Sequence, residues 1–191
     1  MPPPSTPSPP SEVKGIWFVS ARKWVLTDLG EGALRSVLAE LDGIAREALE
    51  DPLASHWYPE GALQQSLDAA RRILCDDDGD RMLEMLERVS LVGINTFWRT
   101  ALRITGTEFA LRALPVSWRH IRRGPGEMTV EIESGLARIH YRAFPYFDDP
   151  NYRMLVLGTL RPLLRVSTGH EVPVTIASYT KDTLTAHARF G

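Results

Sequence analysis

Residues 114–145 read LPVSWRHIRRGPGEMTVEIESGLARIHYRAFP, and this stretch decides the fold. Within it the spacing of apolar residues changes from about 3.6, typical of a helix, to 2, typical of a strand. Residues 128–132 and 137–143 alternate apolar and polar side chains. Ser134-Gly135, between the two runs, predicts a two-residue hairpin turn. The stretch therefore marks the boundary between a helical first half and a sheet.

Upstream of this boundary, apolar residues recur at helical spacing. Helices are predicted over 21–29, 31–41, from Tyr58-Pro59 onward, over 81–104 with a bend near Gly93, and over about 108–122 with Thr107 as N-cap. Residues 44–57 are ambiguous between a short helix and a loop. The run GIWFVS, residues 15–20, is predicted to be a strand because aromatic and β-branched residues favour that conformation.

Downstream of the hairpin, the pattern predicts a helix over about 151–166 and then strands over 172–176 and 184–190. The order strand-strand-helix-strand-strand, with one apolar face on each strand, is typical of an antiparallel sheet wetted on one side. We therefore predict an α+β fold, in which an N-terminal helical bundle packs on a C-terminal four-stranded antiparallel sheet with a crossover helix.

Length and composition indicate one domain. Residues 13–191 are expected to form it, preceded by a disordered proline-rich arm over 1–12 that is either a plain tail or a ligand for a groove that reads polyproline helix. The formal charge of -2 gives no argument for nucleic-acid binding. The sequence has no secretory signal and no apolar run long enough to span a membrane, so a cytoplasmic protein is expected.

No pattern of catalytic or metal-ligating residues is present. The five histidines lack ligand spacing, and a single cysteine, Cys75, excludes a cysteine-based zinc site. The acidic segment 76–80 does not fit a calcium loop, and its aspartates are expected to favour the next helix N-terminus. Asp148 and Asp149 are expected either to cap a helix or to be solvated on a loop. We predict no metal, no cofactor and no enzyme activity.

Two groups of side chains are candidates for binding. Aromatic residues near the boundary are expected to form either a plain core or a small-molecule pocket: Trp98, Phe109, Trp118, Tyr141 and Phe144, with Tyr146 beside them. A basic region is expected to be either a solvated face or an anion contact, for which Arg119 and Arg142 are the candidates: Arg112, Arg119, Arg122, Arg123, Arg138 and Arg142.

Taken together, these features resemble the haem nitric-oxide/oxygen-binding (H-NOX) domain. The resemblance covers about residues 13–190 and lies mainly in the order of the elements. It also extends to a myxobacterial paralogous domain family of unknown function, which implies a bacterial signalling protein. The segments that carry the resemblance are KGIWFVSARKWV (14–25), Tyr58-Pro59, Leu114-Pro115, the hairpin end at 139–142, LVLGTLRPLL (155–164) and the last two strands.

The resemblance also implies that the haem site is altered. H-NOX domains bind iron through a histidine after a Leu-Pro type segment, and Trp118 takes that position here, whereas His120 lies two residues further on. The family holds the haem propionates with a Tyr-x-Ser-x-Arg motif, and the matching residues here are Tyr141, Ala143 and Pro145. The resemblance therefore implies a domain without haem.

The sequence leaves several functions open. The first is a non-catalytic sensory or scaffolding module that acts through protein contacts, including self-association as a homodimer. The second is a sensor that binds an apolar small molecule between helices and sheet. The third is a haem-based gas sensor.

Overall fold

A computed structural model describes residues 10–94, 102 and 105–190. Most of the proline-rich arm and the candidate pocket residue Trp98 lie outside the described residues. Among those described, the first half is helical and the second half carries the larger sheet. The predicted α+β architecture is confirmed.

Helices occupy most of the first 121 residues. Their bounds are α1 Ile16–Trp24, α2 Gly30–Ala39, α3 Gly43–Glu50, α4 Glu60–Cys75, α5 Gly79–Gly93 and α6 Thr107–Ile121, with a π-helical turn over Val25–Leu29 between α1 and α2. The helix predicted over 81–104 is confirmed as far as Gly93, and most of the rest lies outside the described residues. The predicted N-cap Thr107 is wrong, because Gly106 takes that position and Thr107 begins the helix.

The prediction of a strand over residues 15–20 is wrong. Those residues begin α1, and the strand that does form, β1, covers Glu12–Lys14 just before it. The helix buries Phe18 and Trp24, and Phe18 packs edge-on against Tyr58 with ring centroids 5.1 Å apart. The tertiary packing of this face outweighs the β-propensity of its aromatic and branched residues.

A small antiparallel sheet places β1 next to the residues that directly follow α6. It has the order β2-β1-β3, where β2 is Trp57–Pro59 and β3 is Arg122–Arg123. Val13 of β1 faces both Tyr58 and Arg122 in the ladder. Helix α4 therefore begins one residue after the predicted Tyr58-Pro59 start, and β3 places Arg122 directly after α6.

The larger sheet has the order β4-β5-β7-β6, and every neighbouring pair is antiparallel. Its bounds are β4 Glu127–Glu133, β5 Leu136–Arg142, β6 Val174–Tyr179 and β7 Leu184–Arg189. The hairpin turn at Ser134-Gly135 is confirmed, with φ of 49° and 77° at these residues, as a two-residue turn with left-handed residues requires. The third strand begins later than predicted because Pro173 has no N–H for the ladder.

The crossover helix α7, Pro150–Thr168, connects β5 to β6 and packs on α5. The two helices approach closely at Gly158, where an added Cβ would lie 2.6 Å from Cβ of Leu86. Asp149 caps α7 by accepting a 2.8 Å hydrogen bond from the Asn151 amide, and Asp78 caps α5 in the same way. Both aspartate segments thus have the capping role predicted for them.

The inner face of the sheet packs on the helices. Its buried residues include Ile139, Tyr141 and Leu184, whereas the opposite face carries polar side chains such as His140. This is the one-sided sheet that the alternating pattern predicts. No helix among the described residues has the length and apolarity needed to cross a bilayer.

Candidate ligand-binding site

Aromatic side chains gather where α6 meets the sheet. Trp118, in the last turn of α6, packs edge-on against Tyr141 of β5 and against Phe144, with ring centroids 5.4 and 5.2 Å away. Ala143 between them has a φ of 55°, a left-handed conformation that turns the chain as it leaves β5. Phe144 also contacts Phe147 and Tyr152. Three of the aromatic residues named from the sequence, Trp118, Tyr141 and Phe144, therefore lie together.

These rings form one wall of a cavity of about 190 Å³, which we call the aromatic cavity. Helices α6 and α7 supply the opposite wall, and Met128 of β4 lies on the sheet side. Trp118, Tyr141 and Phe144 are each less than a tenth exposed. The rings therefore pack closely against each other and still leave a space beside them that is several water molecules in size, at about 30 Å³ per water.

A second cavity, of about 320 Å³, lies between α1, α5, α6 and α7. We call it the helical cavity. Phe109 lies at its rim, since it lines this space and is 59% exposed. The two cavities adjoin, because six residues line both: Trp17, Leu114, Ser117, Ile121, Thr159 and Leu163. The helical cavity has the size of a small-molecule site, about 300–1,000 Å³.

A buried ion pair stands at the end of the aromatic cavity. Arg122 is one of the residues that line that cavity, and its Nη2 lies 3.2 Å from Oε1 of Glu60. Glu60 is fully buried and the Arg122 side chain is 5% exposed. The Tyr152 hydroxyl donates to Glu60 Oε1 over 3.1 Å. The guanidinium also lies over the rings of Trp118 and Phe144, 4.7 and 5.0 Å from their centroids.

The electrostatics of this pair are dominated by burial. Burial raises the pKa of Glu60 above its usual value, and the Arg122 charge and the Tyr152 hydrogen bond oppose that rise. Burial likewise raises the pKa of Tyr141 and of Tyr152. Both phenols are therefore neutral, and Arg122 carries the positive charge that faces the aromatic cavity.

The sequence did not identify this pair. Arg122 belongs to the predicted basic region, but it is buried and ion-paired, whereas Arg119 and Arg142 are exposed and line neither cavity. Glu60 was not among the candidates. A weak signal was present, because residue 122 directly follows the helix that carries Trp118, but no local pattern reveals a partner 62 residues away.

Comparison with known proteins supports the fold. No protein-family model matches this chain, and no curated protein matches it. Solved H-NOX structures do match. The Fe(II) unliganded H-NOX protein from K. algicida has a TM-score of 0.66 at 13% identity, covering 93% of this chain and 96% of its own. An oxygen-binding H-NOX domain related to soluble guanylate cyclases, in an oxygen complex, has a TM-score of 0.57 at 14% identity, covering 92% of each chain. The chain therefore has an H-NOX-like fold.

The residues of the two cavities do not fit the haem that those structures' names imply. All five histidines lie among the described residues, and none lines either cavity. His120 is exposed, and Trp118 offers an indole N–H, which has no free lone pair for iron. Tyr141 and Tyr152 line the aromatic cavity, but their raised pKa values disfavour the tyrosinate that binds iron.

Proposed function

We propose that this chain is a non-catalytic sensor domain that binds an apolar small molecule, without haem, in the helical and aromatic cavities. The observation that carries the proposal is a pair of adjoining spaces, one of about 320 Å³ among the helices and one of about 190 Å³ between helices and sheet. Their lining is largely apolar and aromatic, as is usual for small-molecule sites. Of the functions left open by the sequence, ligand binding has the most direct support in this geometry.

The absence of haem is part of the proposal and has a separate support. An H-NOX-like domain that held haem would need an iron ligand, and the cavities contain no imidazole. Trp118 and Phe144 instead pack on Arg122, so aromatic side chains and one cation occupy the sheet end of the site. A guest of modest size with a mainly apolar body suits this lining better than an iron porphyrin.

Two measurements test the proposal. The first is reconstitution with haem, followed by absorption spectroscopy. We expect no Soret band characteristic of a bound haem, and a stoichiometric band would refute the haem-free part. The second is titration with Nile red, a neutral apolar dye whose fluorescence rises in apolar surroundings. We expect saturable binding at one site per chain.

A matched pair of variants on α6 locates that site. Ala113 lines the helical cavity, and Val116, one turn further, is 49% exposed and lines neither cavity. Ala113→Phe should fill the space and abolish dye binding, and Val116→Phe should leave it unchanged. Circular dichroism checks that both variants fold. Equal dye binding by the two folded variants would contradict the proposed location.

Self-association is a second candidate function, favoured by exposed apolar side chains on α6. Phe109 and Val116 are 59% and 49% exposed and lie seven residues apart, two helical turns, on one face. Two molecules that covered these residues would remove apolar surface from water. Light scattering over a concentration series tests this candidate, and a monomer at all concentrations would refute it.

A further inference from the structure

We propose that the ligand is an apolar monocarboxylate, whose carboxylate is bound by the Arg122 guanidinium and whose tail extends from the aromatic cavity into the helical cavity. This inference rests on the proposed function, because it names the chemical class of the ligand at the same site. It makes Arg122 a binding residue as well as the partner of Glu60.

The first argument is that the buried Arg122 guanidinium has hydrogen-bond donors without acceptors among the described residues. Of the Arg122 nitrogens, Nη2 faces Glu60, and Nε and Nη1 are buried with no hydrogen-bond partner among the described residues. A buried donor without a partner is costly, and natural proteins rarely leave one. Arg122 lines the aromatic cavity, and Nε and Nη1 themselves have almost no accessible surface, so a guest in that cavity supplies the missing acceptor once the neighbouring side chains shift.

The second argument is how firmly the guanidinium is held. It packs over the rings of Trp118 and Phe144, at 4.7 and 5.0 Å, and such stacking fixes the plane of the donors. Because both rings are walls of the aromatic cavity, the cation and the apolar surface are presented to the guest side by side. A ligand with one anionic end and an apolar body matches that arrangement.

The third argument comes from the path between the cavities. Trp17 lines both spaces, and its buried Nε1 has no partner among the described residues. Leu114, Ile121 and Leu163 provide apolar surface along the same path. A chain that leaves Arg122 therefore meets a mainly apolar passage, which suits an alkyl tail better than a polar body.

Glu60 does not rule out a second carboxylate. Its Oε1 faces Arg122 and accepts from Tyr152, whereas its Oε2 is buried without a partner among the described residues. The burial that raises the pKa of Glu60 favours a proton on this carboxyl group. When a ligand carboxylate approaches Arg122, Glu60 takes up one proton from a buffer acid in solution, which leaves a single negative charge beside the guanidinium.

The test compares octanoic acid with 1-octanol, which have the same chain length and differ in the head group. Binding to the full chain is measured by isothermal titration calorimetry at neutral pH, below the concentration at which the acid self-associates. We expect the acid to bind at least tenfold more tightly, as a charge-assisted hydrogen bond to Arg122 would require. In Arg122→Gln the acid should lose this advantage, and in Glu60→Gln, which removes the competing charge, the advantage should grow.

The two probes separate the inference from the proposed function. If 1-octanol binds and the acid binds no better, the carboxylate inference is overturned and an apolar site remains. If neither binds to the wild-type chain, both are overturned for guests of this size. Because the acid and the alcohol are compared first on the wild type, the test stands even if Arg122→Gln does not fold. Glu60→Gln then supplies the independent variant, and an unchanged or smaller acid preference in it contradicts the inference.

Discussion

Replacing Arg122 with methionine should destabilise the fold strongly, and more so as the pH rises. The substitution keeps an unbranched stem of similar length and removes the charge next to Glu60. Glu60 is fully buried and lies 3.2 Å from the guanidinium, so its carboxylate would remain inside the protein with Tyr152 as its hydrogen-bond donor. Removing one member of a buried ion pair typically costs about 3–5 kcal/mol. That is a large part of an ordinary domain's stability, about 5–15 kcal/mol.

The pH dependence follows from the direction of the pKa shift. In the folded protein the pKa of Glu60 is raised above 4.5, its usual value, and Arg122 partly opposes the rise. Without Arg122 the folded pKa rises further. An acid with a raised folded pKa binds more protons folded than unfolded, so the folded state loses stability as the pH increases above about 4.5. The loss due to Arg122→Met should therefore be smaller at pH 5 than at pH 8.

Urea denaturation followed by tryptophan fluorescence at both pH values gives the free energy of unfolding. Arg119→Met is the matched control, because Arg119 is exposed near the end of α6, and it should change stability by less than about 0.5 kcal/mol. Glu60→Gln/Arg122→Met should recover much of the loss, since no buried charge remains. An equal loss at the two pH values, or a double variant as unstable as Arg122→Met alone, would refute this reasoning.

Three further outcomes are expected. Gly158→Ala should destabilise the chain by about 1–3 kcal/mol, because the added Cβ would lie 2.6 Å from Cβ of Leu86. Gly61→Ala in α4 is the control, because its Cβ would meet nothing within 4 Å. It should be neutral or stabilising by up to about 1 kcal/mol in the same denaturation assay. Asp149→Ala should remove the cap of α7 and lower the free energy of unfolding by about 1 kcal/mol. Burial is the main cause that raises the pKa of Cys75. Its reaction with Ellman's reagent should therefore be slow in the native protein and fast in urea. Rapid labelling of the native protein would contradict the burial of Cys75.

The sheet was predictable because its signals are local. The alternation over 127–133 and 136–142 and the turn at Ser134-Gly135 are each read within a few residues. The same local rules failed at residues 15–20, where aromatic and branched side chains suit a strand in isolation. There, Phe18 packs on Tyr58, which lies on a different element, and this tertiary contact favours the helix. The order β4-β5-β7-β6 is also non-local, since it depends on where α7 crosses over.

In the candidate site, too, residues with a local sequence signal were predictable, and residues positioned by distant contacts were not. Trp118, Tyr141 and Phe144 were identified because aromatic residues cluster near one boundary, and their hydrophobicity itself predicts burial. Arg122 was assigned to a basic region because arginine is usually exposed, and the sequence around it contains other arginines that are indeed exposed. Its buried partner is Glu60, 62 residues earlier, which the small sheet brings alongside because β1 pairs with both β2 and β3.

The position of Arg122 bears on how the space around Trp118 is interpreted. If Trp118 simply filled a vacated site, the rings around it would close the space and leave an ordinary core. Instead, the rings pack on a buried cation, two of whose nitrogens have no hydrogen-bond partner among the described residues, and cavities of about 190 and 320 Å³ remain beside them. Replacing a buried ion pair with apolar residues of similar volume is often neutral or stabilising, so stability alone does not account for Arg122 and Glu60. We propose that the pair serves recognition, and the stability and the ligand preference of Glu60→Gln/Arg122→Met together test this. A double variant as stable as the wild type that no longer prefers octanoic acid to 1-octanol would support it, and one that keeps the preference would refute it.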